Sequence, residues 1–177
     1  ALAIMEARGD AAGVAETCDF LAMAYLLSAD LAQCAMYGQR AIALYREINQ
    51  QPGLSSTLAT LGLCSVAYQC RLLTPATLPS APQRYSEEAL RIAQTIGSRA
   101  GEAFAAFCLG CALGPQGKWS AALDAMRKSY AIAEEIGHRQ WTCTSLTGLN
   151  NVFDDLLDFE SARRYGEQAL EIATAIG

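Results

Sequence analysis

Apolar positions along the chain recur at helical spacing. Ala89, Ile92, Ala93 and Ile96 occupy i, i+3, i+4 and i+7, as do Ala169, Ile172, Ala173 and Ile176, and Ala41, Leu44, Tyr45 and Ile48. Each set is one apolar stripe on an amphipathic helix. No alternating apolar–polar run is long enough to predict a sheet. The same stripes sit inside a repeated phrase: ALAIMEARG, AIALYREIN, ALRIAQTIG, SYAIAEEIG and ALEIATAIG end at residues 9, 49, 97, 137 and 177. Three of the four intervals are 40 residues and one is 48. Turn signals fall between the phrases. Gly114-Pro115-Gln116-Gly117 is the clearest, and Leu157-Asp158 stands at the matching place one repeat later, with Asp158 a candidate N-cap.

Each repeat therefore contains two helices. First helices are predicted over roughly 11–27, 53–72, 98–113 and 138–156, and second helices over roughly 31–48, 83–96, 118–136 and 158–176. Residues 1–8 read as the tail of an earlier second helix. The whole of 1–177 is expected to be one array, with repeats 9–48, 49–96, 97–136 and 137–176. The 48-residue interval places an insertion at 73–83, where Pro75, Pro79 and Pro82 predict an exposed loop. It is either a contact element or a tolerated expansion, and surface loops absorb insertions cheaply. The chain opens inside one repeat and closes at the end of another, so it is expected to be a fragment of a larger protein.

Further columns run through the repeats. Leu21-Ala22, Leu61-Gly62, Leu109-Gly110 and Leu149-Asn150 stand in register, with Tyr25 or Phe153 four residues on. The next helix brings Leu31, Trp119 or Phe159, then a small residue (Cys34, Ala122 or Ala162), then Tyr37, Tyr85 or Tyr165, and then Ala41, Ala89, Ser129 or Ala169. This pattern resembles the tetratricopeptide repeat over essentially the whole chain. It departs from the common form in its 40-residue period and in lacking the usual proline after the second helix. It is similar to the longer variety found in bacterial signalling ATPases and LuxR-type transcription regulators. The resemblance implies an all-α fold, a right-handed superhelical stack of antiparallel helix pairs. It also implies a protein-interaction or sensory scaffold within a larger regulator. Physics leads to the same architecture, because one helix pair cannot bury both of its apolar stripes and must stack on a neighbour.

Carried over by column, the concave face of such an array is lined by the first helices. The matching residues are Glu16, Asp19 and Met23; Ser56, Ala59 and Leu63; Phe104, Phe107 and Cys111; and Thr144, Thr147 and Asn151. None is Lys or Arg, so a groove that clamps a terminal carboxylate is disfavoured. The implied partner is a protein or peptide segment, apolar or basic-amphipathic. Phe104 and Phe107 either anchor that segment or pack against neighbouring helices. The final helix carries Leu170, Ile172 and Ile176 without an obvious polar outer face, which predicts self-association through the array ends. Two other readings stand beside this one: a small-molecule effector pocket near Phe104 and Phe107, and a helical enzyme with an unrecognised site.

Composition narrows the picture. Of 177 residues, 52 % are hydrophobic and 18 % charged, which excludes a disordered polyelectrolyte. The net charge is −5, against direct nucleic-acid contact. No stretch has the length or apolarity of a membrane span. The seven cysteines, Cys18, Cys34, Cys64, Cys70, Cys108, Cys111 and Cys143, are scattered through apolar surroundings and read as reduced packing residues, which points to the cytoplasm. Gly117-Lys118-Trp119 resembles a phosphate-binding loop but lacks the hydroxyl after Lys and a preceding strand. Cys108 and Cys111 form a lone CxxC inside a helix, without the second ligand pair of a structural zinc site. His138, the sole histidine, falls at a helix start and reads as a capping or solvated residue. Glu87-Glu88, Glu134-Glu135 and Asp154-Asp155 read as solvated helix faces. No catalytic, metal or cofactor site is expected.

Overall fold

A computed structural model describes residues 2–63 and 82–177. Cys64 and Cys70, the far end of the predicted 53–72 helix and residues 73–81 of the expected insertion lie outside the described residues. Nine α-helices are described: α1 (Leu2–Arg8), α2 (Ala11–Leu27), α3 (Leu31–Glu47), α4 (Gln51–Leu63), α5 (Pro82–Thr95), α6 (Arg99–Leu113), α7 (Trp119–Glu135), α8 (Arg139–Asp155) and α9 (Phe159–Ile176). Every described boundary lies within two residues of its predicted place. One correction concerns Pro82, predicted as loop. Pro82 is instead the first residue of α5, where its missing N–H costs nothing and its fixed φ suits the first turn.

The turns share one design. Gly9, Ala29, Asn49, Gly97, Gly117, Gly137 and Leu157 all have positive φ, and within each run they stand twenty residues apart. Around each, two backbone hydrogen bonds close the preceding helix. At the α5–α6 turn the Gly97 N–H donates to the Gln94 carbonyl at 3.2 Å, and the Ser98 N–H to the Ala93 carbonyl at 2.9 Å. This is the Schellman closure, which satisfies carbonyls that a helix end leaves orphaned. The residue that completes it then caps the next helix. Asp30 accepts from the Gln33 N–H, Gln50 from Gly53, Ser98 from Gly101, His138 Nδ1 from Trp141, and Asp158 from Ser161. His138 is thus the cap that its position predicted. Gly114–Gln116 forms a single 3₁₀ turn, and Lys118 after it provides no side-chain cap.

Within each pair the helices pack along the predicted small-residue columns. Cys34, Ala41, Ala89, Ala122, Ala162 and Ser129 are all buried. The aromatic columns also meet. Tyr25 stacks on Tyr37 with centroids 5.5 Å apart, and Phe153 on Tyr165 at 5.4 Å. Such pairs contribute roughly 0.5–1.5 kcal/mol beyond their burial. Between pairs, each second helix packs on the following first helix. Successive first helices (α2 on α4, α4 on α6, α6 on α8) also touch, whereas successive second helices meet only marginally. Arg46 on α3 and Glu88 on α5 bridge that wider side by an ion pair of 2.8 Å between long side chains. The narrower side of the stack is therefore the first-helix side. The fold is an all-α helical-repeat solenoid with its first helices on the inner face.

A polar network ties α5, α6 and α7 together. Glu102, 7 % exposed, accepts from Gln94 Nε2 at 3.0 Å, Arg99 Nη1 at 2.6 Å and Lys128 Nζ at 2.9 Å, while Arg99 also pairs with Glu135. Burial by itself raises the Glu102 pKa, but the hydrogen bonds from Lys128, Gln94 and Arg99 outweigh it and hold the carboxyl at about 2, below its ordinary 4.5.

Two predictions follow from the fold. Leu157 holds a left-handed conformation (φ 61°) while its side chain is 72 % exposed, so Leu157→Gly removes backbone strain and little packing. It is expected to raise unfolding stability by about 1 kcal/mol in a denaturant titration. An unchanged midpoint would contradict the strain argument. Because the folded pKa of Glu102 lies below its unfolded value, its contribution is complete above pH 4.5 and is lost as pH falls toward about 2. Denaturant midpoints taken stepwise across that window should fall more steeply for the wild type than for Glu102→Gln. Parallel curves would show that the network does not couple to folding.

Candidate inner-face binding site

The site is built from the inward stripes of four first helices. On α2, Glu16 is exposed, and Asp19 and Met23 are half-buried. On α4, Ser56 and Leu63 are half-buried, but Ala59 is only 1 % exposed and lies in the core, offering no contact surface. Its methyl is short enough to vanish beneath neighbouring side chains. On α6, Phe104 and Phe107 are half-buried, while Cys111 is 3 % exposed. On α8, Thr144 is half-buried, and Thr147 and Asn151 are exposed.

Among the described residues, two cavities open on this face. One, of about 220 Å³, is lined by Pro52 and Ser55–Ser56 of α4, Ile96, the start of α6 with Phe104, and Trp141. The other, of about 190 Å³, is lined by Phe107 and Cys111 of α6, Met126 of α7, and Cys143, Thr144, Thr147, Gly148 and Asn151 of α8. A wall of aromatic rings stands between them. The Trp141 ring lies 4.9 Å from Phe104 and 6.4 Å from Phe107, centroid to centroid. Both phenylalanines also pack against the core. One side of each ring therefore packs on neighbouring helices, and the other lines a cavity.

Several lining residues escaped the column reading. Trp141 is the clearest. Its column holds Gly13, Gly53 and Gly101 in the other repeats, so the break in the column was the available signal. Met126 comes from a second helix. It reaches the inner face because it lies between two glycines: a Cβ on Gly110 would come within 2.8 Å of its Cε, and one on Gly148 within 2.6 Å of its Sδ. Phe20, next to Asp19, is 75 % exposed.

Electrostatics differ along the face. The Asp19 carboxylate accepts from Thr57 Oγ1 at 2.8 Å, and Ser56 also hydrogen-bonds it. Burial pushes its pKa up, and the two hydroxyls only partly offset this. Tyr45, behind them, is raised to about 12, first by burial and then by the charges of Asp19 and Glu16. Burial acts in the same direction on the two buried thiols of α6. Burial raises Cys108 well above its usual range and Cys111 to about 12. Both are unbridged, in keeping with packed thiols. Among the described residues, no group of three or more His, Cys, Asp or Glu could hold a metal ion. Lys118 Nζ is shared between Gln83 and Gln116, each at 2.8 Å, and the loop before it follows a helix rather than a strand.

Paired helices stacked in register, with an inner face carrying small apolar cavities, define a helical-repeat scaffold. Residues 112–175, from the end of α6 through α9, match the family model of the tetratricopeptide repeat, which supports the resemblance read from the repeat columns. No curated protein matches the chain. Tetratricopeptide repeats generally mediate protein–protein contacts and are typically non-catalytic scaffolds. Among the described residues, no helix is long and apolar enough to cross a membrane.

Proposed function

We propose that this chain is a protein-interaction module of a larger cytoplasmic bacterial regulator. It binds an apolar or basic-amphipathic segment of a protein partner on the inner face of its first helices. The observation that carries this reading is the pair of cavities sharing the Phe104–Trp141–Phe107 wall. At about 220 and 190 Å³, both fall below the roughly 300–1,000 Å³ of pockets that enclose a whole small ligand. Each suits one side chain of a longer polypeptide, which favours a peptide over a small effector molecule. Unbridged, buried thiols support the cytoplasmic placement. The acidic balance and the absence of Lys and Arg from the twelve inner-face residues support a partner other than nucleic acid.

A second contact is favoured by a separate observation. On α9, Leu170 is 67 % and Ile176 50 % exposed. One repeat earlier, Tyr130 occupies the Leu170 position on α7 and packs against the core. The α9 surface therefore resembles a stacking face and supports self-association of this chain.

Two measurements test these readings. Peptides selected from a random display library on the wild-type chain should lose about tenfold in affinity with Ala100→Arg or Thr147→Arg, which place a cation at the exposed rim of one cavity or the other. The α9 variant Glu160→Arg should leave them unaffected. Peptides indifferent to both rim variants would sink the inner-face reading. In sedimentation equilibrium, the apparent mass should rise with concentration and fall back for Leu170→Glu. A monomer at every concentration would remove the α9 contact.

A further inference from the structure

Opposite charges are unevenly distributed in this molecule. Among the described residues, the carboxylates that find cations are Glu6 with Arg40, Glu88 with Arg46, Glu102 with Arg99 and Lys128, Glu135 with Arg99, and the pairs Asp124–Arg127 and Glu167–Arg163. Apart from Glu102 and its partner Arg99, these groups lie on α1 and on second helices. On the inner face, Glu16 and Asp19 stand three residues apart on α2, and neither has an ion pair among the described residues. Asp19 is the unusual member. It is half-buried, and only hydroxyls answer its charge. A desolvated carboxylate without a cation is costly, and burial has raised its pKa. Ser56, one of its hydroxyl partners, also lines the 220 Å³ cavity, so a single hydrogen bond links the carboxylate to that cavity's lining. Exposed Phe20, adjacent in sequence, offers an apolar surface for the stem of a long cationic side chain.

We propose that the segment bound on the inner face is basic and amphipathic, with a lysine or arginine seated between Asp19 and Glu16 and a neighbouring apolar side chain in the cavity between Phe104, Trp141 and Ser56. This rests on the inner-face reading above and narrows the partner to one charge class. The bound cation supplies the counter-charge that Asp19 lacks, and the cavity supplies the apolar anchor. An acidic segment would meet two like charges at the same place and be rejected.

The test uses two synthetic amphipathic peptides with the same leucine positions, one with lysine and one with glutamate at the polar positions. Binding is read by fluorescence anisotropy. The lysine peptide is expected to bind at least about tenfold more tightly than the glutamate peptide. The double variant Asp19→Asn, Glu16→Gln keeps the hydrogen-bonding shapes and should weaken the lysine peptide about tenfold while leaving the glutamate peptide unweakened. Ala100→Arg should weaken both. Neutralising Glu160 and Glu171 on α9 serves as the control, and an equal loss there would reduce the effect to diffuse attraction and overturn the proposal. If Ala100→Arg weakens the lysine peptide but the Asp19/Glu16 variant does not, the inner face still binds and the cation seat falls. If neither peptide responds to any inner-face variant, both the cation seat and the inner-face reading fall. Circular dichroism of the double variant confirms that any loss is not unfolding.

Discussion

Each helix pair is held at a seam of side chains small enough to bring two backbones together. One column of the first helices (Ala15, Ser55, Ala103, Cys143) faces one column of the second (Ala41, Ala89, Ser129, Ala169). Ala15, Ala41, Ala89, Ala103 and Ser129 have no exposed surface. The approach is so close that a short side chain can reach the opposite backbone. Ser55 Oγ donates to the Ala89 carbonyl at 2.9 Å, Ser129 Oγ to the Ala103 carbonyl at 2.8 Å, and Cys143 Sγ to the Ala169 carbonyl at 3.4 Å. Because the Ser129 proton is committed to Ala103, the 2.7 Å contact with Ser145 requires Ser145 to be the donor. A larger residue in either column would push the helices apart, and overpacking of this kind costs about 1–3 kcal/mol.

That spacing decides the rest of the geometry. Stacking tight pairs on one another brings successive first helices into contact, while successive second helices meet only marginally. The inner face then brings residues from separate repeats into contact. Trp141 reaches Phe104 and Phe107 across the α6–α8 boundary, and Asp19 reaches Thr57 across the α2–α4 boundary. Neither contact could form within one repeat. The turns fix the register that makes both possible, since each places a left-handed residue at the same point of the half-repeat, and all but the Gly117 turn follow it with a side-chain cap.

The helices and their order were legible because two independent signals agree: the 3.6-residue period of the stripes and the caps at their ends. The aromatic columns were legible for a related reason. Tyr25 with Tyr37 and Phe153 with Tyr165 repeat at the same register and so meet in the same way. The site was legible only in part. Column arithmetic names which helix face points inward, but depth depends on neighbours that arithmetic does not weigh. Ala59 and Phe107 share a column, yet one is buried and the other lines a cavity. Met126 was invisible to a rule that admits only first helices, because its path inward depends on missing Cβ atoms at Gly110 and Gly148. Trp141 lay outside the columns used, at a position that holds glycine in the other repeats.

Those failures share a cause. Stacking requires the seam columns to stay small and the turns to stay regular, so they carry little information that differs between repeats. Difference is permitted where a column faces inward. The column of Asp19, Ala59, Phe107 and Thr147 presents a carboxylate, a buried methyl, a ring and a hydroxyl in turn along the stack. Asn150 departs from the Ala22, Gly62 and Gly110 column, and its amide compensates by donating to the Ala162 carbonyl at 2.7 Å, so that departure serves packing. Trp141 departs from its glycines and builds a wall between two cavities instead. A polypeptide lying across these helices would thus meet chemistry that changes from one repeat to the next, on a frame whose spacing does not.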